Sequence, residues 1–437
     1  MGSARQRNLG QLQQYLVALI VFCAPWSVVW LISHGNQTGP VENSFLHLAL
    51  YPLEILMLIS AGIWLLTGSS RREIRRLAPL FACAVLAIVS AVWARQPELA
   101  LASGIHILVA TLFAGVLADQ LRKPAGEQRL LGVFLASMVL QALWGLIQTA
   151  TGSDLGLRVF GEGVLSTTAL GVAKVSGSGD VILRAYGSLP HPNVLAGYLL
   201  VALLLGLGAL LSSHANSRRQ SALAIFLGLL GAGLLATYSR VALAAALLGS
   251  ATVIIYAFKQ RKALPKQLLL ALPVVALAAA VMFGALLQRG EFNSPRESGV
   301  DNRAAGITFA VDSALRHPLG VGAGNATVAI AADRSDLPYY QQQPPHLVIL
   351  VVVLELGWLG LALILYFVFV TARDFHANHV NGTKERIAHL TLVIIAGGLL
   401  ASSLFDHFLW SLPQGLWLAA GFVGIVLSKL DAPAAHS

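Results

Sequence analysis

Twelve apolar stretches, each about the length of a membrane-crossing helix, recur along this chain and constrain it more than any motif does. They fall at about residues 14–33, 46–67, 78–94, 100–118, 130–150, 193–212, 221–238, 240–258, 268–287, 346–371, 387–408 and 411–429. Crossing a bilayer core takes roughly 20 mostly apolar residues. No water is present there to satisfy backbone N–H and C=O groups, so each stretch has to be a helix. Only 11% of the residues are charged, against about 25% in a soluble domain. The expectation is an all-α integral membrane protein of about twelve transmembrane helices, forming a single polytopic domain over residues 1–437. The first stretch is followed by no small-residue cleavage site and reads as a retained helix, not a signal peptide.

Charge suggests an orientation. With both termini in the cytoplasm, 19 of the 29 lysines and arginines fall on that side, including the run Arg71-Arg72-Glu73-Ile74-Arg75-Arg76. That is the positive-inside bias. The net charge of +9 is spread over short loops, which suits anionic lipid better than nucleic acid. Cys23 and Cys83 lie in predicted helices, so neither a disulfide framework nor a cysteine metal site is implied.

Two loops on the outer side are long, about 151–192 and 288–345. Loops beyond about 12–15 residues usually carry function. In the first, the turn-like Gly177-Ser178-Gly179-Asp180 between two β-prone runs predicts a small hairpin. Pro190 and Pro192 then bracket His191, and Asn193 is the expected N-cap of the next helix. The second loop predicts an amphipathic helix from near Asp301, with Ile307, Val311 and Leu315 on one face and Arg303 in its first turn. The glycine-rich run Pro318 to Gly324 lacks the Lys-Ser/Thr of a nucleotide-binding loop.

Several polar residues stand out in so apolar a chain. Arg184 suits either a bidentate grip on a phosphate or diphosphate, or contact with lipid headgroups. Arg240 follows Thr237-Tyr238-Ser239 in a hairpin of almost no length. His346, after Pro344-Pro345, should open a helix. The helix dipole there favours neutral imidazole, which suits a general base, although an interfacial capping histidine is the plainer alternative. His191 reads as structural within its turn. Glu355 should lie on the opposite face of that helix from His346. With Glu54 and Asp406 it forms a set of costly carboxyls near apolar segments, one of which could partner an arginine. Histidines and acids show no metal-site spacing and no Gly-x-Ser-x-Gly elbow occurs, so neither a metal nor another cofactor is expected.

Taken in order, these residues resemble the bacterial O-antigen ligase and polymerase superfamily. The stretch Arg184-Ala185-Tyr186-Gly187 to His191-Pro192-Asn193 resembles its first signature and Ser239-Arg240 its second. Arg303 through Pro318-Leu319-Gly320-Val321-Gly322 resembles its large outer loop. Pro344-Pro345-His346, followed by Glu355-Leu356-Gly357-Trp358, resembles the start of the next helix. One departure is Leu347, where the family often has asparagine.

The resemblance implies a GT-C-like glycosyltransferase of the bacterial inner membrane with its site facing the periplasm. Its donor would be a glycan on undecaprenyl diphosphate, and lipid A–core the acceptor of a ligase. Polymerases lengthen another lipid-linked glycan, and relatives glycosylate protein serine or threonine. The implied roles are Arg184, Arg240 and Arg303 on the diphosphate and His346 as base, with His191, Asn193, Ser239 and Glu355 supporting. Ligase is the leading expectation. A lipid-linked glycan transporter is the rival from another class, and Glu54, Glu355 and His106 favour it.

Overall fold

Apolar helices dominate the computed structural model, which describes residues 2–33, 44–67, 71–176, 181–212, 217–261, 265–270, 296–333, 342–378, 380 and 382–430. The first half runs α1 (Gly2–Cys23), β1 (Trp30–Ser33), β2 (Leu48–Leu50), α2 (Pro52–Leu66), α3 (Arg71–Arg76), α4 (Ala78–Val89), α5 (Pro97–Arg122), α6 (Gly126–Thr151), β3 (Lys174–Ser176) and β4 (Val181–Leu183). The second runs α7 (Pro192–Ser212), α8 (Ser217–Ala236), α9 (Arg240–Arg261), α10 (Arg296–Arg316), α11 (Ala326–Asp333), α12 (Val348–Ala377), α13 (Thr383–Ser403), α14 (Phe408–Ser411) and α15 (Pro413–Lys429). Among the described residues, α5 to α9, α12 and α13 are the seven helices long and apolar enough to cross a membrane. Shorter apolar helices cover 8–23, 52–66 and 78–92. The expected span at 268–287 lies, beyond residue 270, outside the described residues.

Three expected spans have different limits. Helix α1 stops at Cys23 instead of continuing to residue 33. Pro25 follows closely, and proline disfavours helical geometry in the residue before it. Trp30–Ser33 instead pairs antiparallel with Leu48–Leu50, so the second span becomes helical only at Pro52. The eleventh ends at Ser403. Asp406 and His407 therefore sit in the link between α13 and α14, outside the crossing helix. Proline opens α2, α5, α7 and α15, a position where its missing N–H costs nothing.

Helix α7 is the axis of one half of the bundle, with 83% of its apolar window buried. It packs against α6, α8, α9 and α13, while α5 packs against α15, α4 and α2. Lipid tails are as apolar as leucine, so such helices hold together by close packing over small residues. A Cβ added at Gly233 would lie 2.6 Å from that of Ala142, which shows how closely α8 approaches α6. One end of the bundle is charged. Arg122 pairs with Glu73 and donates to the Leu427 carbonyl at 2.7 Å, and Lys429 pairs with Glu127 at 2.6 Å. The opposite end carries the arginines and histidines singled out above.

Candidate functional site

The link from β4 to α7 is pinned by two glutamines of α6. Gln148 Oε1 accepts the backbone N–H groups of Tyr186 at 3.1 Å and Gly187 at 2.8 Å. Its Nε2 donates to the Gly187 carbonyl and to Glu162. Gln141 accepts the Ser188 N–H at 2.9 Å and donates to the Ser188 hydroxyl at 2.8 Å. Gly187 has φ +59°, and a Cβ there would lie 2.3 Å from Gln141 Oε1. These buried polar groups satisfy one another, and together they fix where Arg184 emerges.

Arg184 is held by two further bonds. Its Nε donates to the Thr237 carbonyl at 2.7 Å and a terminal nitrogen donates to Asn193 Oδ1 at 2.7 Å. Thr237 belongs to the hairpin between α8 and α9. Tyr238 has φ +51° there, and the Ser239 N–H donates to the Thr237 hydroxyl at 3.3 Å. Three residues after Thr237, Arg240 opens α9 with its side chain exposed. Burial lowers the pKa of Arg184, Tyr186 and Asp406 oppose that shift, and the charge of Arg240 adds to it. Two cations thus occupy one corner, suited to a ligand with two negative charges.

Asn193 is not the N-cap expected from the sequence. With Pro192 at the first helical position, the next donor in need of a partner is the N–H of Asn193, and His191 Nδ1 accepts it at 3.2 Å. The Asn193 amide is left to act as a relay. Its oxygen receives Arg184 and its nitrogen donates to Asp406 Oδ2. Asp406 Oδ1 accepts the N–H groups of His407 at 2.7 Å and Phe408 at 3.2 Å. Among the carboxyls considered in the sequence, Asp406 is therefore the one joined to an arginine, through one amide.

Across Asp406 stand two histidines. Nitrogen atoms of His346 and His407 and an Asp406 oxygen all lie within 4.8 Å of one another. The two rings are 5.3 Å apart by centroid. This cluster could hold a divalent cation through two imidazoles and a carboxylate, a donor set that the linear spacing did not suggest. His346 sits just ahead of α12, whose N-cap is Leu347. Burial pushes His407 down to about 4, with Asp406 opposing and His346 and His191 adding to the shift. His191 is likewise pushed to about 4, chiefly by burial. Both rings are neutral at pH 7. Burial would raise Asp406, but His407, His191, the Asn193 hydrogen bond and His346 hold its carboxyl below the ordinary 3.8.

The remaining expected residues are placed otherwise. Arg303 lies on α10, which begins at Arg296, ahead of Asp301; its side chain is outside the described residues. Glu355 is buried on α12. It accepts Trp410 Nε1 at 2.9 Å and the backbone N–H groups of Gly324 and Ala326. Its partners are thus Trp410 and the glycine-rich loop rather than the histidines. That loop docks where α12 breaks at Gly357, which has φ +66°. Val321 N–H donates to the Leu354 carbonyl at 2.8 Å, Gly322 N–H to Glu355 at 3.0 Å and Trp358 N–H to Pro318 at 3.1 Å. His106 Nδ1 meets Glu54 at 2.8 Å, and Trp417 Nε1 donates to Glu54 at 3.2 Å. These two features of the transporter reading are partners in one buried pair.

The sequence reading missed His407, Gln141 and Gln148 as site residues. Two glutamines seven apart on an apolar helix share a face and were a usable signal. His407 was visible only as a neighbour of Asp406. Residues 223–365 match the family model described as O-antigen ligase. That segment contains Ser239, Arg240, Arg303, His346 and Glu355, while Arg184, Asn193 and Asp406 lie outside it. No curated protein matches the chain. Over residues 223–365, the match supports the O-antigen ligase and polymerase superfamily.

Proposed function

We propose that the protein is an O-antigen ligase, moving a glycan en bloc from undecaprenyl diphosphate to lipid A–core at the periplasmic face of the inner membrane. The observation that carries this reading is the relay Arg184–Asn193–Asp406, which couples a two-arginine corner to the histidine cluster. Arg184 and Arg240 hold the donor diphosphate, joined by Arg303 from α10. His346 takes the proton of an acceptor hydroxyl. The acceptor oxygen bonds the anomeric carbon as the bond from that carbon to the diphosphate oxygen breaks, with inversion. Undecaprenyl diphosphate leaves with the electron pair, and the arginines stabilise its charge as it forms. Asp406 steadies the imidazolium on His346.

The test is transfer from purified undecaprenyl-diphosphate glycan to purified lipid A–core, in detergent with EDTA and no nucleotide. Wild type transfers, while His346→Ala and Arg240→Ala lose all but a residual rate, although both fold. Normal transfer by either variant refutes the assignment. Lengthening of the donor glycan identifies a polymerase, and transfer to protein serine or threonine an oligosaccharyltransferase. A second reading rests on the three ligand atoms within 4.8 Å. In it His346, Asp406 and His407 would hold a divalent cation that would supply positive charge for the diphosphate, and EDTA would abolish transfer.

A further inference from the structure

A cavity of about 100 Å³ opens beside the histidine cluster, lined by groups with no part in the reaction above. Pro344, two residues before His346, lines it. Phe45 lines it as well and lies against His407, ring centroids 5.3 Å apart. The cavity therefore adjoins the histidine cluster, and neither Arg184 nor Arg240 lines it.

The wall combines aromatic faces with polar edges. Tyr51 and Trp410 supply flat apolar surfaces, and Glu355, His106, Thr327 and Ser411 supply polar atoms. His106 offers Nε2, since Nδ1 is committed to Glu54. Thr327 is 1% exposed, and neither its hydroxyl nor that of Ser411 has a hydrogen-bond partner among the described residues. A buried hydroxyl without a partner is costly, a cost that a ligand bringing hydroxyl groups of its own would offset. Charge narrows the choice. The described lining contains Glu355 but no lysine or arginine, so it disfavours phosphate and carboxylate. Rings that stack against C–H faces, with acceptors and donors at the edges, suit a neutral pyranose.

We propose that this cavity is the acceptor subsite, holding one uncharged terminal sugar of the acceptor with a hydroxyl presented to His346. The proposal rests on the transferase reading above and assigns the two substrates to different sides of one cluster. The anionic donor lies on the arginine side and the neutral acceptor sugar on the Thr327–Trp410 side.

The experiment is steady-state transfer by the full-length protein in detergent, varying lipid A–core at saturating donor and then the reverse. Thr327→Val and Ser411→Ala each remove one hydroxyl with little change in shape, and thermal melting checks folding. Each variant is expected to raise the acceptor KM about tenfold, the loss of one hydrogen bond, while the donor KM stays unchanged. Saturation-transfer NMR with methyl glycosides should show a protein-to-sugar signal that weakens in both variants, persists in Arg240→Ala and is not displaced by inorganic diphosphate. Active wild type with acceptor KM unchanged in both folded variants overturns the subsite alone. So does a rise in donor KM, or displacement of the sugar by diphosphate. Folded wild type that transfers to no acceptor overturns the transferase reading, and the acceptor assignment with it.

Discussion

Replacing Asp406 by asparagine tests the coupling between the arginine corner and the histidines. The carboxylate lies within 4.8 Å of a His346 nitrogen. At an effective dielectric of about 20, two unit charges at that distance attract by about 3.5 kcal/mol. Partial solvent access halves this to about 2 kcal/mol, or roughly thirtyfold in kcat if the charge acts when His346 takes the proton. A structural cost comes in addition. Asp406 Oδ2 accepts from the Asn193 amide, whose oxygen is already taken by Arg184. An amide at 406 can keep its oxygen on the His407 and Phe408 N–H groups, but its nitrogen then faces another donor. One donor is left unsatisfied, at about 1–3 kcal/mol of stability. The assay is kcat for glycan transfer together with thermal melting, run as a double-mutant cycle with His346→Ala. Asp406→Asn should slow the wild type about thirtyfold and change the residual rate of His346→Ala little. A loss below threefold, or the same loss in both backgrounds, refutes the argument.

Three other outcomes follow from the geometry. Gln148→Leu removes the bonds to Tyr186 and Gly187 without touching the proposed substrate, and should cost about 2–4 kcal/mol in denaturation together with most of the activity. Gly357→Ala places a Cβ 2.0 Å from the Pro318 carbonyl oxygen at a left-handed position, and should undock the 318–325 loop, read as faster proteolysis there, at about 1–3 kcal/mol. Buried neutral His191 and His407, both near 4 instead of 6.5, bind fewer protons folded than unfolded between those values. Stability therefore falls as pH drops from 6.5 towards 4, and His407→Gln should flatten the melting temperature's dependence on pH over that window by about half.

The apolar helices were legible because lipid leaves a backbone no alternative. Their limits were less so. Nothing local says that Trp30–Ser33 prefers Leu48–Leu50 to its own helix, since the pairing joins segments distant in sequence. Arg184 and Arg240 were readable as rare cations next to apolar segments, and the topology put them at one end. The role of Asn193 was misjudged because the helix already begins at its neighbour Pro192, which puts Asn193 inside the first turn. Glu355 was recognised as a carboxyl in need of a partner. That partner proved to be backbone from the preceding loop and an indole from a later helix, neither of which has a linear signature. Asp406 and His407 were adjacent in the chain, and only folding brought His346 to them.

The break in α12 at Gly357 bears on how such enzymes can be recombined. Carbonyls of Leu354 and Glu355 and the N–H of Trp358 find their partners in residues 318–322 rather than along the helix. Loop and helix are thus two halves of one structural unit, although α11 and the Pro344-Pro345 turn separate them in sequence. An outer loop transplanted from a relative without its own 354–358 segment would leave a gap in the backbone of a membrane helix. Working chimeras should therefore take their junctions before Pro318 and after Trp358, so that the two halves travel together.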